Sequence, residues 1–196
     1  NKTIQLYCGS STELSLPPNS LDAVFTDPPY FGNVQYAELM DFCYVWLRQL
    51  VGNSVPGFKK STTRAINELT GNATMYRGVE HFLCGMSKVL CNMARALKPG
   101  SPLVFTYHHN DIEAYYPIAA AILDAGLVCT ASLPCPGEMG GSIHINGTGS
   151  SITDTVFVCR STGVVSRRTI VDTAEAIAEL VLQDLKSLQT GGVKYT

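Results

Sequence analysis

An α/β fold with a mostly parallel sheet is what this sequence predicts, and three observations carry the prediction. Short apolar or β-branched runs alternate with longer stretches whose apolar residues recur at three- and four-residue steps. Proline and glycine punctuate the joins. The last two strand-like runs have no helical stretch between them, so they are expected to pair antiparallel and close the sheet.

Taken in order, residues 3–8, "TIQLYC", alternate and carry β-branched and aromatic side chains, which predicts a strand ended by Gly9 and Ser10. Residues 22–26, "DAVFT", form a continuous small apolar run of the buried parallel type, and Pro28 and Pro29 must stop it because proline cannot donate to a ladder. From Tyr36 to Leu50 the residues Tyr36, Leu39, Met40, Cys43, Trp46, Leu47 and Leu50 make a one-sided helical stripe, read as core.

Residues 51–78 are polar, glycine-punctuated and carry Lys59, Lys60 and Arg64; they are expected to form a long loop with a short helix, serving as a lid or target-contact loop. Val79 to Leu97 is the clearest helix, terminated by Lys98-Pro99-Gly100. "PLVFTYHH", 102–109, reads as a buried strand, and Asn110 or Asp111 caps a helix that stops at Gly126. Residues 127–133 and 153–160 are the closing strands. A last helix from about Thr173 to Leu188 opens on the capping box Asp172-x-x-Glu175.

Composition narrows the function classes. A chain of 196 residues, 45% hydrophobic and 15% charged, can bury one substantial core, so 1–196 is expected to be a single domain. No apolar run reaches membrane-spanning length. The chain opens at Asn1 without a methionine, which suggests a processed product or a piece of something longer. Seven cysteines, an odd number, show neither Cys-x-x-Cys nor zinc-ligand spacing with histidine; they read as reduced apolar thiols of a cytoplasmic protein, with no metal site. A formal charge of −2 provides no basic excess, so a nucleic-acid partner has to be gripped locally or by parts outside this chain.

The stretch most informative about chemistry is "LDAVFTDPPYFGN", 21–33. In open α/β sheets ligands bind outside the carboxyl ends of the strands, which is where Asp27 and His108 are expected. An ionised Asp27 only accepts hydrogen bonds. Pro28 and Pro29 fix φ and remove their own N–H groups, leaving rigid neighbouring carbonyls. Tyr30 adds a flat face. Together these suit something planar with an exposed NH₂, such as the amino group of a heteroaromatic base.

With its flanks, "DPPY" at 27–30 resembles motif IV of the S-adenosylmethionine-dependent methyltransferases that modify exocyclic amines of nucleobases. "DPPYFGNVQYAELMDFCYVWLR", "RALKPGSPLVFTYHHND" and "ITDTVFVCR" resemble, in order, the adenine-specific DNA methylases of the DUF1156 family, over most of residues 1–160. The resemblance implies a partial Rossmann-like class I methyltransferase sheet and methyl transfer from S-adenosylmethionine to adenine N6 in DNA.

It further implies that Asp27, Pro28, Pro29 and Tyr30 act catalytically, with Tyr30 stacking on a flipped base. Phe31, Asn33, Tyr36, His108 and His109 are the remaining candidates for the base pocket. Asp27 and Ser10 are the candidate cofactor contacts, Ser10 standing where related sequences often have Asp.

A Gly-rich loop after a first strand and an acidic residue after a second do not appear, so the chain resembles the substrate-facing half of a methyltransferase, with exposed sheet edges that invite pairing with a missing N-terminal half or another copy. "GTGS" at 147–150 lies between the closing strands and reads as a connection, and His144 among glycines has no assigned role. Two alternatives stand beside the DNA reading: a catalytically incomplete fragment that binds nucleic acid or a partner, and an enzyme acting on RNA or a protein side-chain amide, although amide-modifying relatives more typically read NPPY.

Overall fold

The computed structural model describes residues 3–32, 34–52, 54–137, 153–161 and 173–190. They belong to two units, Asn1–Val165 and Ser166–Thr196. The second contributes one helix, Ala174–Thr190 (α4). Thr173 caps it, its hydroxyl accepting from the Ala176 amide at 3.2 Å, whereas Asp172 of the expected capping box lies outside the described residues.

Among the described residues the first unit has four strands: β1 (Val24–Thr26), β2 (Pro102–Tyr107), β3 (Leu127–Pro136) and β4 (Thr153–Ser161). Their spatial order is β1-β2-β4-β3. β1 and β2 are parallel, with Val24 opposite Leu103, and β4 runs antiparallel between β2 and β3. Three of the four strands therefore point the same way, and the α/β class with an antiparallel closing strand is as the sequence predicts.

Strand alternation and helix periodicity meet in the core. Leu103, Phe105 and Tyr107 of β2 are buried on one face, where Phe82, Met86, Leu90 and Met93 of α2 (Val79–Ala96) and Ile118 and Ala121 of α3 (Tyr116–Asp124) cover them. Full burial of each large side chain contributes about 1.5–3 kcal/mol. α2 ends at Leu97, and Gly100 (φ 79°) turns the chain into β2; Gly126 (φ 64°) does the same between α3 and β3. Asp111 caps a 3₁₀ turn, Ile112–Tyr115, that leads into α3.

The structure departs from four expectations. Residues 3–8 form no strand, and Leu6 is 91% exposed. Among the described residues β1 pairs only with β2, so this segment has no ladder to join, and β propensity alone does not hold an isolated strand. Second, the apolar stripe of α1 (Tyr36–Val51) is not core: Ala37 is its one buried residue, and Trp46 is 60% exposed. The helix packs on the segment after it more than on the sheet. Third, the cysteines are not mainly interior, for Cys159 is buried and Cys8, Cys43, Cys84, Cys91 and Cys129 are exposed. β2 also stops at Tyr107, leaving His108 and His109 in the turn beyond.

Candidate active site

Asp27 follows directly on β1 and is exposed, while Pro28 behind it is buried. Register places Thr26 opposite Phe105, so Thr106 stands at the next step of β2, and its hydroxyl donates to Asp27 Oδ1. The neighbouring Tyr30 ring meets Tyr107 edge-on, centroids 5.2 Å apart at 60°. Burial pushes the Tyr30 phenol well above its usual range, reinforced by the carboxylates of Asp27 and Asp154. It stays protonated at neutral pH.

Tyr107 ties this loop to the rest of the fold. Its hydroxyl donates to the Ala114 carbonyl at 3.0 Å and accepts, more weakly, from the Phe31 amide at 3.4 Å. Burial pushes its phenol up to about 12.

Beside Asp27 opens a cavity of about 670 Å³. Ser10, Ser11 and Thr12 form one wall with Asp27, Pro28 and Pro29; the α1 residues Tyr36, Met40, Cys43, Tyr44 and Leu47 form a second. Segment 58–69 supplies a third through Phe58, Thr63, Asn67 and Glu68, and Met86 and Val89 of α2 lie at its base. Four residues of the α1 stripe, Tyr36, Met40, Cys43 and Leu47, thus line a cavity, whereas Leu39, Trp46 and Leu50 are exposed outside it.

The segment expected as a lid is anchored along its length. Asp41 accepts from the Thr62 hydroxyl (2.6 Å), the Thr63 amide (2.7 Å) and the Thr63 hydroxyl (2.8 Å). These bonds, with Arg64 Nε 3.3 Å away, lower its carboxyl to about 2. Tyr44 donates to the Lys60 carbonyl at 2.9 Å. Glu68 pairs with Arg77 at 2.8 Å and accepts from the Ala37 amide at 3.0 Å, capping α1 where Gln35 offers no side-chain bond. Gln35 reaches back to the Gly71 carbonyl at 2.6 Å.

Of the residues singled out in the sequence, Ser10, Asp27, Pro28, Pro29 and Tyr36 meet at the cavity. Tyr30 adjoins it through Asp27 and Thr106. Phe31 turns inward instead, its ring 5.3 Å from that of Phe82. His108 contacts Asn110 Oδ1 at 3.2 Å, and His109 Nδ1 accepts from the Asp111 amide at 2.9 Å; neither lines the cavity. Ser10 also caps the 3₁₀ turn Ser11–Glu13. Asn33, His144 and 147–150 lie outside the described residues.

Among the described residues no cluster of three or more metal-ligating side chains occurs, and no helix is long and apolar enough to cross a membrane. Sequence reasoning missed Thr106 and Asp154. Alternation puts Thr106 on the face opposite Phe105, as the polar residue near the end of an apolar strand, and that was a usable signal.

No protein-family model matches the chain. No curated protein matches it either. Solved structures do overlap it in part. TTHA0409 of Thermus thermophilus, a proposed DNA modification methylase crystallised with S-adenosyl-L-methionine, is 17% identical with a TM-score of 0.46, over 82% of this chain and 56% of that one. A SAM-dependent methyltransferase from Methanosarcina mazei is 11% identical, TM-score 0.38, over 78% and 65%. The 16S rRNA (adenine(1408)-N(1))-methyltransferase of Catenulisporales acidiphilia is 16% identical, TM-score 0.27, over 78% and 90%. The chain spans about half the length of TTHA0409. Likeness this partial carries no mechanistic weight, so function has to be argued from the chain's own residues.

Proposed function

We propose that this chain carries the amine-binding half of an S-adenosylmethionine-dependent methyltransferase acting on an exocyclic amine of a nucleobase, most specifically adenine N6 in DNA. One observation carries the reading: an exposed carboxylate at a strand's end, Asp27, oriented by Thr106 and backed by two rigid prolines, opens onto a ligand-sized cavity.

The residues present fit the cofactor. S-adenosylmethionine combines an aromatic adenine and apolar carbons with cationic groups, and the cavity offers hydroxyls at Ser10 and Thr12, carboxylates at Asp27 and Glu68, and apolar surface at Met40, Leu47 and Met86. When bound, it supplies an electrophilic methyl group.

The chain's own residues do the rest. Asp27 accepts a hydrogen bond from the substrate amine, raising electron density on its nitrogen, and stabilises the positive charge that develops there as the nitrogen gains its new bond. Pro28 and Pro29 hold that carboxylate without competing N–H donors. Thr106 fixes its orientation, so little reorganisation is needed at the moment of reaction. A paired base has its amine engaged in the duplex, so a DNA substrate has to present it flipped out.

The test is labelled-methyl incorporation into DNA, RNA and protein by the full-length protein. Label in DNA at adenine N6 that is lost in Asp27→Ala supports the reading. An Asp27→Ala variant as fast as wild type removes the assigned role, and label in RNA or protein alone redirects the substrate.

A second reading is favoured by β1, which among the described residues is an edge strand and carries Phe25, 76% exposed, on its face. In it the chain has no catalysis of its own and binds nucleic acid or a partner subunit. One-to-one binding of S-adenosylmethionine by residues 1–196 in calorimetry rejects that reading.

A further inference from the structure

Cys129 and Cys159 stand directly opposite each other in the antiparallel β3–β4 pair. Opposed residues project to the same face of a sheet, with Cβ atoms about 4.5–5.5 Å apart, and a disulfide needs about 3.5–4.5 Å. A closure of roughly 1 Å therefore suffices. The register shifts immediately afterwards, between Cys129 and Ala131, so Thr130 is an extra residue at a bulge, a place where the strand gives locally.

The two thiols differ in access: Cys159 is fully buried in the core cluster and Cys129 is exposed. We propose that Cys129 and Cys159 form a thiol-oxidation site, in which Cys129 reacts first with a reagent from solvent and Cys159 resolves it into a cross-strand disulfide. The reactant is a small-molecule disulfide.

In the first step the Cys129 thiolate attacks one sulfur of that disulfide; its S–S bond breaks, and one half leaves as a thiolate. In the second, Cys159 gives up its proton to solvent and attacks the Cys129 sulfur of the mixed disulfide. The Cys129–Cys159 bond forms and the second thiolate departs. Two protein thiols lose two electrons in all, and the reagent is reduced to two thiols.

The electrostatics agree with this order. The Cys129 thiol donates to the Ala131 carbonyl at 3.5 Å, and its interaction with the neighbouring Cys159 thiol holds it below the ordinary thiol range, while Cys159 is raised by that same interaction and by burial. The alternative role, a small apolar filler at Cys159 beside an unrelated surface thiol, places no demand on their pairing.

The experiment is reaction of the native chain with 5,5′-dithiobis(2-nitrobenzoate), followed by non-reducing peptide mapping. A 129–159 linked peptide is expected, with about two aryl thiolates released by the pair and the linkage reversed by dithiothreitol. In Cys159→Ala the aryl adduct should persist on Cys129 at least about tenfold above its level in wild type. In Cys129→Ser, Cys159 should stay unmodified while circular dichroism remains native. A stable aryl adduct on Cys129 with free Cys159 in wild type would overturn the proposal. So would equal labelling of Cys159 in native Cys129→Ser. Should either variant fail to fold, the wild-type map alone decides.

Discussion

Thr106, on the central strand β2, donates its hydroxyl to the carboxylate of Asp27 at the end of the neighbouring β1, so one residue sets the direction in which the other presents its free oxygen. The contact joins two strands at their carboxyl ends and makes Asp27 part of the sheet's rigid frame. If the proposed function holds, replacing Thr106 by Val should lower the methyl-transfer rate of the full-length protein about tenfold, with the affinity for S-adenosylmethionine little changed. Thr106→Ser should restore most of it. Single-turnover rates measured beside cofactor titrations separate these quantities, and a loss in affinity alone would remove Thr106 from the orienting role.

Glu68 offers a test of the segment that walls the cavity. Arg77 is 5% exposed and its charge is met by Glu68, so Glu68→Gln strands a buried cation and should cost about 3–5 kcal/mol in urea unfolding. The Gln side chain can still accept from the Ala37 amide. The double variant Glu68→Gln, Arg77→Met should recover part of the loss, because it removes the charge along with its partner.

Asp41 predicts an acid response. Its folded-state value, about 2, lies below the roughly 3.9 of an unfolded chain, so its stabilising effect is present in full above about pH 4 and is lost as pH falls toward 2. Trp46, the single tryptophan, lies five residues along the same helix and reports on it by fluorescence. The expected result is a Trp46 signal that changes between about pH 4 and 2 in wild type. Asp41→Asn, less stable at neutral pH, should lack that step.

Gly71 predicts a steric effect. A Cβ there would lie 2.9 Å from the Phe31 ring and 3.0 Å from the Gly32 amide nitrogen. Gly71→Ala should therefore destabilise by about 1–3 kcal/mol, since the ring it meets is already packed against Phe82. An unchanged melting curve would mean that the DPPY loop does not rest on this segment.

How far such relationships could be read in advance depended on whether they are local. α2 was legible almost to the residue because its apolar spacing and its Lys-Pro-Gly stop sit in one window. The apolar run at 102–107 likewise marked β2 as a strand, though not that only one of its faces is buried. Residues 3–8 show the limit: alternation predicts a strand, but strand formation needs a neighbour, which no local pattern contains. The α1 stripe failed the same way, since periodicity says which residues share a face and not whether that face meets core or cavity. At the candidate site, Asp27 to Tyr30 are singled out by turn chemistry and the resemblance, whereas Thr106 reaches Asp27 across 79 positions of sequence through strand register. Phe31 turns inward onto Phe82 and the two histidines bond locally, placements that proximity in sequence does not convey.

The buried phenol of Tyr107 joins the Phe31 amide to the Ala114 carbonyl, and so places a loop amide under the protection of the core. In hydrogen-exchange terms, the Phe31 amide is expected to exchange with the slow set of β2 and the Ile112–Tyr115 turn, since freeing it requires the phenol to let go. Among the described residues the flanking Gly32 amide has no such tether, and it should exchange fast. The loop that presents Asp27 would then open only as part of a cooperative unit, and a fully buried residue beneath it would set how often the site is intact.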